Sequence, residues 1–83
     1  MLTKKLANDI YCRQVEMALM YQQIVACLKA QEEAFMAASS DLPIAEAAAE
    51  TLSTIREKEE RVADTTAHLI SITKTLIDCA EEE

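Results

Sequence analysis

The chain has 83 residues, no Gly, one Pro and a formal net charge of −7. Tight turns at positive φ call for Gly, Asn or Asp, and Asn8 is the only Asn, so a sheet-rich fold is excluded. The acidic balance disfavours phosphate backbones and anionic membrane surfaces as partners.

Hydrophobic residues make up 51% of the chain, too many for a disordered tail, and the composition leans on the strong helix formers Ala, Leu, Glu, Lys, Gln and Met. The expected fold is all-α and a single domain. Such a chain buries only about 60% of its unfolded surface and is marginal unless something else stabilises it.

In chain order, helix 1 is expected over about 3–38. Its opening, with Lys4 and Lys5, does not lead into an apolar signal core, because Asn8, Asp9, Arg13, Gln14 and Glu16 interrupt it. The most apolar stretch, 15–28, contains Glu16, Gln22 and Gln23 and falls short of the about 20 apolar residues that cross a bilayer. No membrane span is expected, and the expected location is cytoplasmic. Ser39-Ser40-Asp41-Leu42-Pro43 punctuates the pattern: Ser and Asp cap helices, and Pro is tolerated only in a helix's first turn. The turn is placed at 39–43, helix 2 over about 42–80 and an acidic tail at 81–83. Each helix would be roughly 55 Å long at about 1.5 Å per residue.

Seven-residue periods run through both helices. In helix 2, Ala48, Ile55, Val62, Leu69 and Leu76 form one series, and Ile44, Thr51, Lys58, Thr65, Ile72 and Cys79 the other. In helix 1 the series are Ile10, Met17 and Ile24, and Leu6, Met20, Cys27 and Ala34, with Arg13 interrupting the second. These rows are expected to be the seam of an antiparallel two-helix coiled coil. A reversal around Asp41 would place position i against about 82 − i, so that Leu6 meets Leu76, Met20 meets Val62 and Ala34 meets Ala48.

That seam leaves a second apolar strip on the back of helix 1. Tyr11, Cys12, Val15, Ala18, Leu19, Gln22, Val25, Ala26 and Met36 are the candidate partner-binding residues, whereas the back of helix 2 is polar. A long exposed apolar strip marks an interaction surface, and a helix apolar nearly all round belongs inside a bundle. Burial is expected through a protein partner, either in a homo-oligomer or by docking of a foreign amphipathic helix.

The sequence offers no site for chemistry. Cys12, Cys27 and Cys79 show no metal-ligand spacing and are read as small apolar side chains, and His68 stands alone. No nucleophile, Gly-rich phosphate loop or Glu-x-x-His pair is present, so no enzymatic activity, metal or cofactor is expected.

In plan (a small acidic chain, two helices and one sticky face) the protein resembles the helical-hairpin chaperones of type III secretion, which hold needle subunits soluble before export. The resemblance covers the whole chain as architecture, with no motif matched residue by residue. It implies a chaperone or adaptor that sequesters a partner's amphipathic helix. Assembly subunits of large coiled-coil complexes share the plan, and they imply a self-associating structural subunit instead.

Overall fold

A computed structural model describes residues 2–80, and the acidic tail expected at 81–83 lies outside the described residues. The molecule is an all-α hairpin of two helices, α1 (Lys4–Ala38) and α2 (Pro43–Cys79), laid side by side over an envelope of 63 × 14 × 14 Å. Both helices begin and end for local chemical reasons. Thr3 is extended and its hydroxyl accepts from the Leu6 amide at 3.2 Å, satisfying one of the orphan donors of the first turn. At the other end of α1 the Ser39 hydroxyl donates to the Met36 carbonyl at 2.8 Å. The Asp41 and Leu42 amides both return to the Ala38 carbonyl, at 3.2 and 3.0 Å.

The turn closes without any positive φ among the described residues, which is how a chain with no Gly can make it. α2 starts differently from the capped start that Ser and Asp suggested. Leu42 is the N-cap residue and supplies no side-chain hydrogen bond; Ser39, Ser40 and Asp41 stay in the turn. Pro43 sets the first helical φ, and Glu46 places a carboxylate against the positive end of the helix.

The packing seam is where the structure departs from the sequence pattern. The expected seam rows face outward: Leu6, Ile10, Met17, Met20 and Ile24 are 37–59% exposed, and Ile55, Val62, Leu69, Ile72 and Leu76 are 40–46% exposed. Most of the buried and half-buried residues lie one position further along each helix. On α1 they are Ala7, Tyr11, Gln14, Ala18, Tyr21, Val25, Leu28 and Glu32. On α2 they are Ala45, Ala49, Leu52, Arg56, Glu59, Ala63, Thr66, Ile70, Thr73 and Ile77. Both sets keep the alternating three- and four-residue spacing of a coiled-coil seam.

The most deeply buried positions of the seam are small or polar, and its larger members (Tyr11, Tyr21, Val25, Leu28, Leu52, Ile70 and Ile77) are only half-buried. Its fully buried apolar members are Ala7, Ala45 and Ala49, and no large side chain is fully buried among the described residues. Small residues let two helices approach closely, and Thr66 joins them without a polar penalty because its hydroxyl donates to the Val62 carbonyl at 2.8 Å. Gln14 is less well served: it is buried, and its Oε1 has no hydrogen-bond partner.

The cross-helix pairing also differs from the 82 − i ruler. Glu32 meets Arg56 and Lys29 meets Glu60, each nearly two turns further along α2 than that ruler places them. Long ionic side chains, reaching diagonally across the seam, hold these pairs together.

Candidate functional site

Around each helix, the seam separates two sides of the hairpin, and the ion pairs show which flank of α1 lies beside which flank of α2. Lys29 and Glu60, one position outside the seam on their respective helices, approach to 3.9 Å. A shallow groove of about 370 Å³ on the same side is lined by Gln22, Val25, Ala26 and Lys29 from α1 and by Glu60, Ala63 and Asp64 from α2. The flanks that follow the seam residues in sequence thus share one side of the hairpin. The flanks that precede them share the other.

This second side gathers the large aliphatic residues of both helices. Leu6, Ile10, Met17, Met20 and Ile24 come from α1, and Ile44, Ile55, Val62, Leu69, Ile72 and Leu76 from α2. Eleven of the fifteen large hydrophobic residues exposed among the described ones therefore lie on one face, which makes it a surface and not a scatter. Sequence reasoning picked out these same side chains as a periodic stripe but assigned them to the inside.

The residues that the sequence pointed to as partner-binding are divided by the structure. Tyr11, Ala18 and Val25 stand in the seam, and Val15 is half-buried beside it. Cys12, Leu19, Gln22, Ala26 and Met36 are exposed on the polar side, Leu19 at 54% and Met36 at 53%. Gln22, Val25 and Ala26 come together in the shallow groove; the set as a whole does not form one exposed strip. The physical reason is that α1 carries apolar residues on several adjacent rows, so a one-residue rotation exchanges the covered row for the bare one.

The polar side is locked by a small ionic network. Arg56 Nε donates to Glu32 Oε2 at 2.7 Å and Arg56 Nη1 to Glu60 Oε1 at 3.0 Å, while Nη2 reaches Glu32 Oε1 and Ser53 Oγ at 3.4 Å. The hydrogen bond from Arg56 holds the Glu32 carboxyl below the ordinary carboxylate range, against the opposing push of partial burial. The same bonds, from Glu32 first and Glu60 second, make the Arg56 guanidinium harder still to deprotonate. This network matches charge across the seam.

Cys12, Cys27 and Cys79 are free thiols on the exposed surface. Among the described residues no cluster of His, Cys, Asp and Glu is able to hold a metal ion. Within the same residues no helix is long and apolar enough to cross a membrane.

The exposed aliphatic face is bordered by charge in an uneven way. Twelve acidic residues fall among the described ones, yet none lies on the two outward rows of either helix; the charges there are Arg13 on α1 and Lys58 on α2. Neither makes an ion pair among the described residues. Seven of those twelve lie on the opposite side: Glu33 of α1 and Glu46, Glu50, Glu57, Glu60, Asp64 and Asp78 of α2. No family model matches the chain, and neither a curated protein nor a solved structure matches it.

Proposed function

We propose that this protein is a non-enzymatic protein–protein interaction module: a small acidic chaperone or adaptor that docks an amphipathic helix of a partner. One observation carries the reading. Eleven large aliphatic side chains of a two-helix hairpin share one open face, while apart from Gln14 the most deeply buried positions of the seam beside them are alanines and threonines. Completing the burial of such half-exposed side chains contributes on the order of 1 kcal/mol each. The sum is comparable with the about 5–15 kcal/mol that stabilises an entire domain. Binding and folding stability are therefore coupled in this reading.

The type III secretion chaperones that the chain resembles in plan use such a hairpin to keep an export subunit soluble, and that role is the biological setting proposed here. The alternative is a self-associating subunit of a coiled-coil assembly, which the same face supports. The test compares two pairs of charge insertions. Val62→Glu with Leu69→Glu should abolish association, read as the mass of the complex isolated from source cells, while leaving helicity unchanged. Val15→Glu with Leu19→Glu, on the opposite side, should weaken association far less. Assembly that survives the first pair but not the second would put the interface back on the other side. A discrete dimer or tetramer of the purified chain would favour the self-associating alternative.

A further inference from the structure

Resting on the docking reading, the charge pattern says what kind of helix fits. We infer that the occupant is an amphipathic helix of another protein whose apolar stripe is edged with carboxylates, received at a basic notch formed by Lys58 and Arg61.

The first support is the amount of surface left open. A compact 9.2 kDa monomer exposes about 4,900 Å² by the usual scaling with mass. The hairpin exposes 6055 Å², an excess of roughly 1,100 Å² over that estimate. A standard protein interface covers about 800 Å² on each partner, and the excess that this elongated 63 × 14 × 14 Å hairpin exposes is of that order.

The second support is local charge. Lys58, Arg61, Val62, Thr65 and Thr66 line a groove of about 500 Å³ at the α2 edge of the aliphatic face. One turn from Lys58 in either direction stand Thr54, Ile55, Arg61 and Val62, with no acid among them. Two like charges three residues apart on a helix destabilise it by a few tenths of a kcal/mol, a cost that a bound carboxylate would reverse. In a chain of net charge −7 this is a basic spot set against the general field, and it opens onto apolar surface. Arg61 has Glu57 and Asp64 on its far side, so the net positive character belongs chiefly to Lys58. Arg13, the other cation of the face, has Asp9 and Glu16 beside it and is correspondingly offset.

A second copy suits the face less well. It would bring another Lys58 and Arg13 and no acidic residue into the contact. Like charges placed together in an interface act against pairing. A helix with apolar residues on its buried stripe and Glu or Asp along the stripe's edge meets both requirements.

The experiment uses the full chain and two synthetic helical peptides with an identical Leu/Ile stripe, one edged with Glu and the other with Lys, at physiological salt. Net charge alone favours the Lys peptide. The basic notch predicts that the Glu peptide binds about ten-fold more tightly, from one or two rim ion pairs gained against the same number of repulsions. Lys58→Glu with Arg61→Glu should erase or reverse the preference. Lys58→Gln with Arg61→Gln should reduce it, and Lys58→Arg should keep it, with helicity checked throughout. Equal affinity for the two peptides, or a preference for Lys, overturns the charge selection and leaves the docking face standing. Binding of neither peptide by a chain that sediments as a dimer assigns the face to a second copy and overturns the inference. Binding of neither by a monomer overturns both it and the docking reading.

Discussion

Replacing Ala49 by Leu tests the seam itself. Ala49 is 2% exposed and stands between the helices near the turn, where a methyl group is what the spacing admits. Three added carbons have no cavity to enter, so the helices must separate or the side chain must leave its preferred rotamer. Overpacking of this kind costs about 1–3 kcal/mol. For a domain of this size 1 kcal/mol moves Tm by about 4–8 °C, which gives a fall of about 5 to 20 °C. The control is Ala47→Leu, two residues away on the exposed surface, expected to stay within about 0.5 kcal/mol of the parent. Thermal unfolding followed by circular dichroism at low protein concentration reads both. If the seam ran along Ile44, Ala48 and Ile55, Ala49 would lie beside it and the two substitutions would behave alike. A wild-type Tm for Ala49→Leu would refute the packing described above.

Three further outcomes follow from named contacts. Gln14→Met removes a buried acceptor that has no partner and keeps the side chain's length, so the variant should be more stable by about 1 kcal/mol in urea denaturation. Thr3→Ala deletes the cap on the Leu6 amide and should cost about 1 kcal/mol, with faster amide exchange in the first turn of α1. Glu32 has its folded pKa below the ordinary value of 4.5, so its contribution to stability is present above that pH and lost as pH falls through the lower folded value. Denaturant midpoints measured between about pH 6 and pH 2 should fall, and Glu32→Gln should flatten that part of the curve.

The two helices and their turn were legible in the sequence because the signals are local. Pro43 can stand only in a first turn, the absence of Gly rules out most other folds, and the seven-residue periods need no tertiary knowledge. The side of each helix that meets the other was not legible. The rule that large aliphatic residues fill a seam chose Ile10, Met17 and Ile24 against Ile55, Val62 and Leu69, and the structure turns those rows outward. Size was the wrong guide for a hairpin that packs closely on Ala7, Ala45, Ala49 and Ala63.

A signal for the observed arrangement was present nonetheless. Glu32 and Arg56 occupy equivalent rows on the two helices, and opposite charges at such positions point to a seam that passes between them. The face left open by that seam is the same set of side chains the periodicity singled out. The periodicity therefore picked out the large aliphatic residues of α2 as one stripe, and the structure turns that stripe outward. On α1, apolar residues on neighbouring rows made the choice degenerate, and Tyr11, Ala18 and Val25 went to the inside.

Methyl-resolved NMR of the purified monomer with a soluble paramagnetic agent, before and after adding the Glu-edged peptide, measures the placement of these side chains directly. Strong broadening of the Ile24, Val62, Leu69 and Ile72 methyls that the peptide suppresses, with Ala7, Ala45 and Ala49 protected in both states, is the result expected. Aliphatic methyls already shielded in the lone monomer, with the alanines open to the agent, would contradict it.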